Sequence, residues 1–348
     1  MGPVRGFLKR KNIEFSLKRY FIDALGAMAQ GLFCTLLVGT ILNTIGKQFD
    51  ISVLIEIGNF ASAMVGPGIA VAIGYSLNCP GLVLFSLIPV GYATNSAGGA
   101  GGPLAVYFVV IIASECGKIV SKETKIDILV TPITTILVGI ALSMLIAAPI
   151  GKAATYVGNA IMWATDLQPF FMGIIVSVLV GVALTLPISS AAICAAFGLT
   201  GLAGGAAVAG CCAQMIGFAV MSFRENRWGG LLAQGIGTSM LQMPNIVKNP
   251  RIWIPPTLAS AITGPLATCL FKLEMNGSPV SSGMGTCGLV GQIGIYTGWV
   301  ETQSAITLWD WTGLIMICFI LPAFLSLGFC KVLRKWGWIK QDDLKLKL

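Results

Sequence analysis

Long apolar runs separated by short polar or basic intervals make up most of the chain, at about 21–44, 51–77, 80–94, 103–119, 127–149, 169–187, 252–273 and 309–331. Most approach the roughly 20 residues that a helix needs to cross a hydrocarbon core. Their apolar residues are continuous, without the strict alternation that the strands of a closed barrel would show. Backbone polar groups cannot be left unpaired in lipid, which leaves helices as the spanning element. The pattern therefore predicts an all-α polytopic membrane protein with about 8–10 transmembrane helices, lodged in the lipid bilayer.

Three stretches do not read as plain spans. Residues 150–168 are moderately apolar but carry Lys152 and Asp166, and are expected to form an amphipathic connector. Residues 187–222 and 275–300 are rich in Gly, Ala and Ser, and each opens on the same grammar: Pro187-Ile188-Ser189-Ser190 in one, Pro279-Val280-Ser281-Ser282 in the other. Broken apolar segments in corresponding places point to re-entrant hairpins around a binding site. Small residues also serve helix–helix packing in membranes, but packing does not explain Glu274, Asn276, Ser281 and Ser282 clustered on one stretch. An ionisable group at membrane depth is a functional candidate by default.

Composition agrees with this picture. Apolar residues are 55% and charged residues 10% of the 348, against about 25% charged in an ordinary soluble domain, and the mean hydropathy is +0.85. The net charge of +8 does not signal nucleic acid, because the cations flank the apolar runs. Six lie between Arg5 and Arg19 and six between Lys331 and Lys347. Placing both termini and the loops 118–125 and 224–251 in the cytoplasm puts 19 of the 22 Lys and Arg on that side, with Lys47, Lys152 and Lys272 outside, as the positive-inside bias requires. Residues 1–20 are expected to be an interfacial amphipathic helix on the anionic leaflet. The basic start runs straight into a full-length span, so no cleavable signal is expected. The ten cysteines fall mostly in apolar runs, with no CxxC, and read as small buried hydrophobes.

There is no histidine, which removes the commonest general base and metal ligand. No nucleophile–base pair and no phosphate-binding Gly-rich loop with lysine is visible, and neither a cofactor nor a metal is expected. What remains is chemistry for holding a polar, uncharged solute. Ser189 and Ser190 come from the first hairpin, and Glu274, Asn276, Ser281 and Ser282 from the second. Gln234, Gln242 and Asn245 join them from "GLLAQGIGTSMLQMPN", where helical spacing gives a polar stripe. Arg224, Glu225, Asn226 and Arg227 are read either as a docking or gating cluster for a partner or as a solvated loop.

Three stretches carry a resemblance: "GKIVSKETKIDILVTPITTILVG" (117–139), "GCCAQMIGFAVMSFRENRWGGLLAQGIGTSMLQMPNIVKNPRIWIPPTLASAITGP" (210–265) and "SSGMGTCGLVGQIG" (281–294). They resemble the PfoR-like membrane proteins, grouped in the enzyme IIC (sugar permease) superfamily of the bacterial phosphotransferase system. The resemblance implies a dimerising half at 21–149, the connector at 150–168, a substrate-carrying half at 169–333 and a cytoplasmic tail at 334–348. It further implies a homodimer in the bacterial plasma membrane, an elevator-like movement and a small polar, sugar-like solute. Sugar-carrying relatives set a glutamate and a histidine against the sugar; Glu274 matches the first and nothing matches the second. No soluble domain is visible here to supply a phosphoryl acceptor, so phosphorylation is expected to come from separate IIA and IIB proteins, and the chain is not expected to be an enzyme by itself. The alternative is a membrane-bound sensor or regulator that keeps the fold without transport.

The charge distribution makes a direct prediction. Reporter groups placed at Lys152 and Lys347 should fall on opposite sides of the membrane; finding both on one side would overturn the orientation of every segment above.

Overall fold

The computed structural model describes residues 3–302 and 306–346. Met1, Gly2, residues 303–305, Lys347 and Leu348 lie outside the described residues, and with them the ends of both basic terminal segments. Among the described residues the structure is helical without strands, apart from one isolated antiparallel bridge between Gly201 and Met275. The chain divides into two compact units, Met1–Ala153 and Ala154–Leu348.

The first unit contains α1 (Pro3–Arg10), α2 (Arg19–Gln48), α3 (Ser52–Ala63), α4 (Val65–Ser76), α5 (Gly81–Gly98), α6 (Gly102–Val120) and the start of α7 (Asp127–Thr165). α3 and α4 are consecutive apolar helices, bent by 51° at Met64. The apolar stretch Gly81–Val120 folds back on itself, because Gly99 takes a positive φ of 51° and opens a tight 3-10 turn. Val83 then lies against Gly117, giving the two antiparallel helices expected from 80–94 and 103–119. Helix pairs touch backbone to backbone at glycines: Gly31 on Gly68, Gly39 on Gly58, and Gly66 on Gly91. The glycine-rich segment 58–74 is thus used within the chain, in the close approach that small residues permit.

α1 stops at Arg10, and the basic residues after it are tied to the loop that follows α6. Arg10 and Lys11 pair with Glu123 at 2.8 and 2.5 Å, and the Lys11 ammonium also donates to the Ser121 carbonyl. The hydrogen bond from Lys11, helped by the charge of Arg10, holds the Glu123 carboxyl below the usual carboxylate range. Lys118, 1% exposed, pairs with Glu115 at 2.8 Å and donates to the carbonyls of Asn12 and Leu77 at 3.2 and 3.1 Å. The N-terminal segment and the 118–125 loop therefore share one side of this unit, as the charge count requires. α7 does not break at residue 150. It carries Pro132 and Pro149 internally and continues to Thr165, so the expected connector is for most of its length the end of a long helix.

The second unit is arranged around one helix. α8 (Pro169–Thr185) is followed by the short α9 (Ser190–Ala196) and by α10 (Gly201–Met221). Then come α11 (Phe223–Leu232), α12 (Met243–Lys248), α13 (Ile254–Pro265), α14 (Pro279–Ser282), α15 (Val290–Glu301) and the helical stretch α16 (Leu308–Lys335). Seventeen of the 21 residues of α10 are buried, so this span is covered by protein and not by lipid. Its neighbours come close because its contact residues have almost no side chain. A Cβ on Gly210 would fall on the Ser177 carbonyl of α8, and one on Gly205 would fall on the Leu273 carbonyl. Ser177 donates to the Ser260 carbonyl at 2.8 Å, tying α8 to α13. All ten cysteines are free, six of them buried.

The close approach at Gly210 predicts a severe effect from one methyl group. Gly210→Ala should destabilise the folded protein by about 1–3 kcal/mol, the usual cost of overpacking. Gly328→Ala, where a Cβ meets nothing within 4 Å, should melt like the wild type. Thermal unfolding in detergent compares the two directly.

Candidate functional site

The direction of the helices in the second unit fixes the path of both hairpins. Ser177 and Gly181 of α8 meet Gly210, Val180 accepts from the Cys211 thiol, and Thr185 reaches Gln214. Contacts advance in the same sense along α8 and α10, so the two helices are parallel. The stretch 186–200 must therefore return the chain to the other end of the unit before α10 can begin. Residues 187–222 accordingly start and finish at the same end, which is a hairpin with α9 as its short arm.

The second hairpin opens at the opposite end of α10. Met275 and Gly201 exchange backbone hydrogen bonds of 2.9 and 3.0 Å. The chain then passes Ser282, whose carbonyl faces the Cys211 thiol, and reaches Thr286, which lies on the Met215 sulfur. Gly285, Gly288 and Leu289, with φ of 54°, 51° and 59°, make the turn, and glycine takes this conformation without a steric penalty. α15 climbs back with Gln292 at Cys212, Gly294 at Ser281 and Gly298 at Asn276. From Gly201 to Cys212 is about 16 Å of helix rise, so the second hairpin runs alongside about half the length of α10.

The two Pro-x-Ser-Ser motifs meet where the hairpins cross. The last serine of each donates to a carbonyl of the other hairpin: Ser190 to Gly283 at 2.7 Å and Ser282 to Leu199 at 2.6 Å. Gly283 is required here, since a Cβ would strike the Ser190 carbonyl. Ser189 caps α9 by accepting from the Ala192 N–H at 3.2 Å. Two of the four predicted serines thus fasten the crossing, and Ser189 fixes the start of the short arm beside it. Ser281 is the exception: its hydroxyl makes no hydrogen bond among the described residues. It packs on Gly294, one helical turn of α15 from the Gly298 that carries Asn276. Asn276 in turn donates to the exposed carboxylate of Glu274 at 3.0 Å. Glu274, Asn276 and Ser281 therefore line the same side of the second hairpin. Nearby, the buried amide oxygen of Gln292 has no hydrogen-bond partner.

Gln234, Gln242 and Asn245 have other partners. Gln234 donates to Ser222 and to the Gly230 carbonyl, both at 2.8 Å, and accepts from Gln242 at 2.8 Å. Gln242 also donates to the Leu344 carbonyl at 3.0 Å and accepts from Asn245, which donates to the Lys345 carbonyl at 3.0 Å. Asn226 grips the same segment with both ends of its amide, donating to the Leu344 carbonyl and accepting from the Leu346 N–H at 2.7 and 2.8 Å. The Leu344 side chain is fully buried. Of the polar stripe expected to meet hydroxyls or water, Gln242 and Asn245 instead hold residues 344–345 of the chain itself, and Gln234 braces Gln242. Glu225 pairs with Arg334 at 2.6 Å, while Arg224 and Arg227 stay exposed, Arg227 at a kink with φ 52°.

One buried network was not anticipated. The Gln214 side chain, fully buried within α10, accepts from the Trp253 indole N–H at 3.0 Å and from Thr185 at 3.3 Å, and donates to Thr257 at 3.3 Å. Thr185 shares a further 2.8 Å hydrogen bond with Ser239. The available signal was an amide inside the apolar run "GCCAQMIG", since a polar group there demands partners.

The fold is that of a multi-pass membrane protein with two crossed, broken hairpins that open at opposite ends of one buried helix. The family described as "Phosphotransferase system, EIIC" matches residues 22–346. The chain belongs to that family and is a permease-type membrane component of the phosphotransferase system. No curated protein and no solved structure matches it significantly.

The amide cluster can be tested apart from any solute. Asn226→Ala combined with Asn245→Ala removes three hydrogen bonds to residues 344–346, and tryptic cleavage after Lys340 and Lys345 should accelerate about tenfold or more. Equal cleavage of variant and wild type would show that the segment is held by other contacts.

Proposed function

We propose that this protein carries a small, neutral, polyhydroxylated solute, sugar-like in its chemistry, and that the second hairpin holds it. The observation that supports this most is the grouping of the exposed Glu274–Asn276 pair with the unpaired Ser281 hydroxyl on one side of α15. A carboxylate accepts from hydroxyls, an amide both donates and accepts, and a hydroxyl adapts to either. Ser189, Ser190 and Ser282 act as the frame that fixes these groups, and Gln242 and Asn245, braced by Gln234, as the holder of residues 344–345. The PfoR-like resemblance favours the same class of solute without naming it.

In this proposal the hairpins move as part of an elevator-like carrier, both termini lie in the bacterial cytoplasm, and the protein works as a homodimer. Any phosphorylation is supplied by separate IIA and IIB proteins, which find Arg224 and Arg227 exposed at the end of the unit where residues 340–346 are held. A sensor that kept the fold would bind the solute without moving it, so uptake into vesicles separates the two roles.

Glu274→Gln keeps the shape of the side chain and weakens the acceptor. Against a panel of hexoses and sugar alcohols, it should reduce affinity for the bound member about tenfold to a hundredfold, with unchanged melting. Glu123→Gln, placed in the other unit, should bind as the wild type does. Identical affinities for Glu274→Gln and wild type would remove Glu274 from the site.

A further inference from the structure

A cavity apart from the hairpins lies where α10 ends, α11 begins and α16 passes. It has a volume of about 450 Å³ and is walled by Val220, Met221, Phe223, Trp228, Leu231 and Leu327. Arg224, Lys331, Cys330 and Arg334 complete it. Arg224 and Lys331 are exposed, and neither makes an ion pair among the described residues. Arg334 is engaged by Glu225. Three cations and one carboxylate leave two positive charges at the rim of an otherwise apolar groove.

The order of residues along α16 gives the groove a polarity. Phe324, Leu327, Lys331 and Arg334 are spaced by three, four and three, which sets them along one helix face. The face is apolar towards the middle of the span and basic at its end. Phe324 is 73% exposed and Trp228 is 69% exposed. Trp228 stands edge-on to Phe223, with ring centres 5.3 Å apart. An amphipathic ring at the end of a span is placed for the headgroup level of a bilayer. An acyl chain fits the apolar part, and a negatively charged group fits between the two unpaired cations.

We infer that this groove is a binding site for an anionic phospholipid, with its phosphate between Arg224 and Lys331 and one acyl chain along Val220, Leu231 and Leu327. A soluble phosphate would use the rim alone and leave the apolar wall bare. A zwitterionic lipid would use the wall and gain no net attraction from the two cations. An anionic lipid is the ligand that satisfies both. The site does not depend on which solute the protein carries.

Native mass spectrometry of the purified, delipidated full-length protein tests this with phosphatidylglycerol and phosphatidylcholine of identical chains. Phosphatidylglycerol should be retained at about tenfold to thirtyfold lower concentration, as expected for two basic residues at a membrane surface. Arg224→Gln with Lys331→Gln should shrink that preference to about threefold or less. Arg224→Lys with Lys331→Arg should keep it, which controls for folding, and so should Lys248→Gln, an exposed cation elsewhere in this unit. Leu327→Trp, which fills the groove, should lower retention of both lipids. Equal retention of the two lipids by the wild type would overturn the inference. So would an unchanged preference in the doubly neutralised variant, or full displacement of the lipid by millimolar inorganic phosphate.

Discussion

The second unit depends on bare backbone along a buried helix. α10 can sit at its centre only because Gly205 and Gly210 let the carbonyls of Leu273 and Ser177 come to where a side chain would start. Helices gain little from the hydrophobic effect against each other in lipid, so close packing and hydrogen bonds must supply the cohesion. The same logic extends outward. Ser177 and Ser260 bond across α8 and α13, and Gln214 gathers Thr185, Thr257 and Trp253 around it. A polar side chain in such a place is tolerated because each of its groups is satisfied.

The hairpin crossing uses the same economy of side chains. Segments with so few regular helical bonds carry backbone groups that lipid would leave unpaired. Here the two broken segments satisfy each other: the Gly201–Met275 bridge joins their ends, and Ser190 and Ser282 each answer a carbonyl on the opposite hairpin. Irregular backbone is thereby kept inside protein. Beside them the Glu274 carboxylate stays exposed with Asn276 donating to it, and the buried Ser281 hydroxyl makes no hydrogen bond among the described residues.

Much of the fold was legible because apolar runs and charge placement are properties of the sequence alone. The spans at 80–94 and 103–119 and the two hairpins follow from run length, glycine and proline, whereas the 51–77 run was expected as one span and is bent by 51° at Met64. The same-side placement of Lys118 and the N-terminal segment followed from the charge rule. The end of α7 did not, because Pro149 and Lys152 look like a boundary while the helix simply continues through them. Among site residues, the pairing of the serine motifs was visible only as a repeated word, and nothing in spacing says that Ser190 will bond Gly283. Gln234, Gln242 and Asn245 were recognised as a stripe, but their partner, residues 344–346, is about a hundred positions away. A stripe of amides looks the same whether it faces a solute or another part of the chain.

The bridge between Gly201 and Met275 has a mechanical consequence. It joins the first residue of α10 to the opening of the second hairpin, while the crossing serines join the short arm of the first hairpin to the middle of the second. These links tie the two hairpins to each other and to the start of α10. Neither hairpin can swing as a flap without breaking these hydrogen bonds. A rearrangement that kept all of these hydrogen bonds would have to carry α10 along with both hairpins, as a single body.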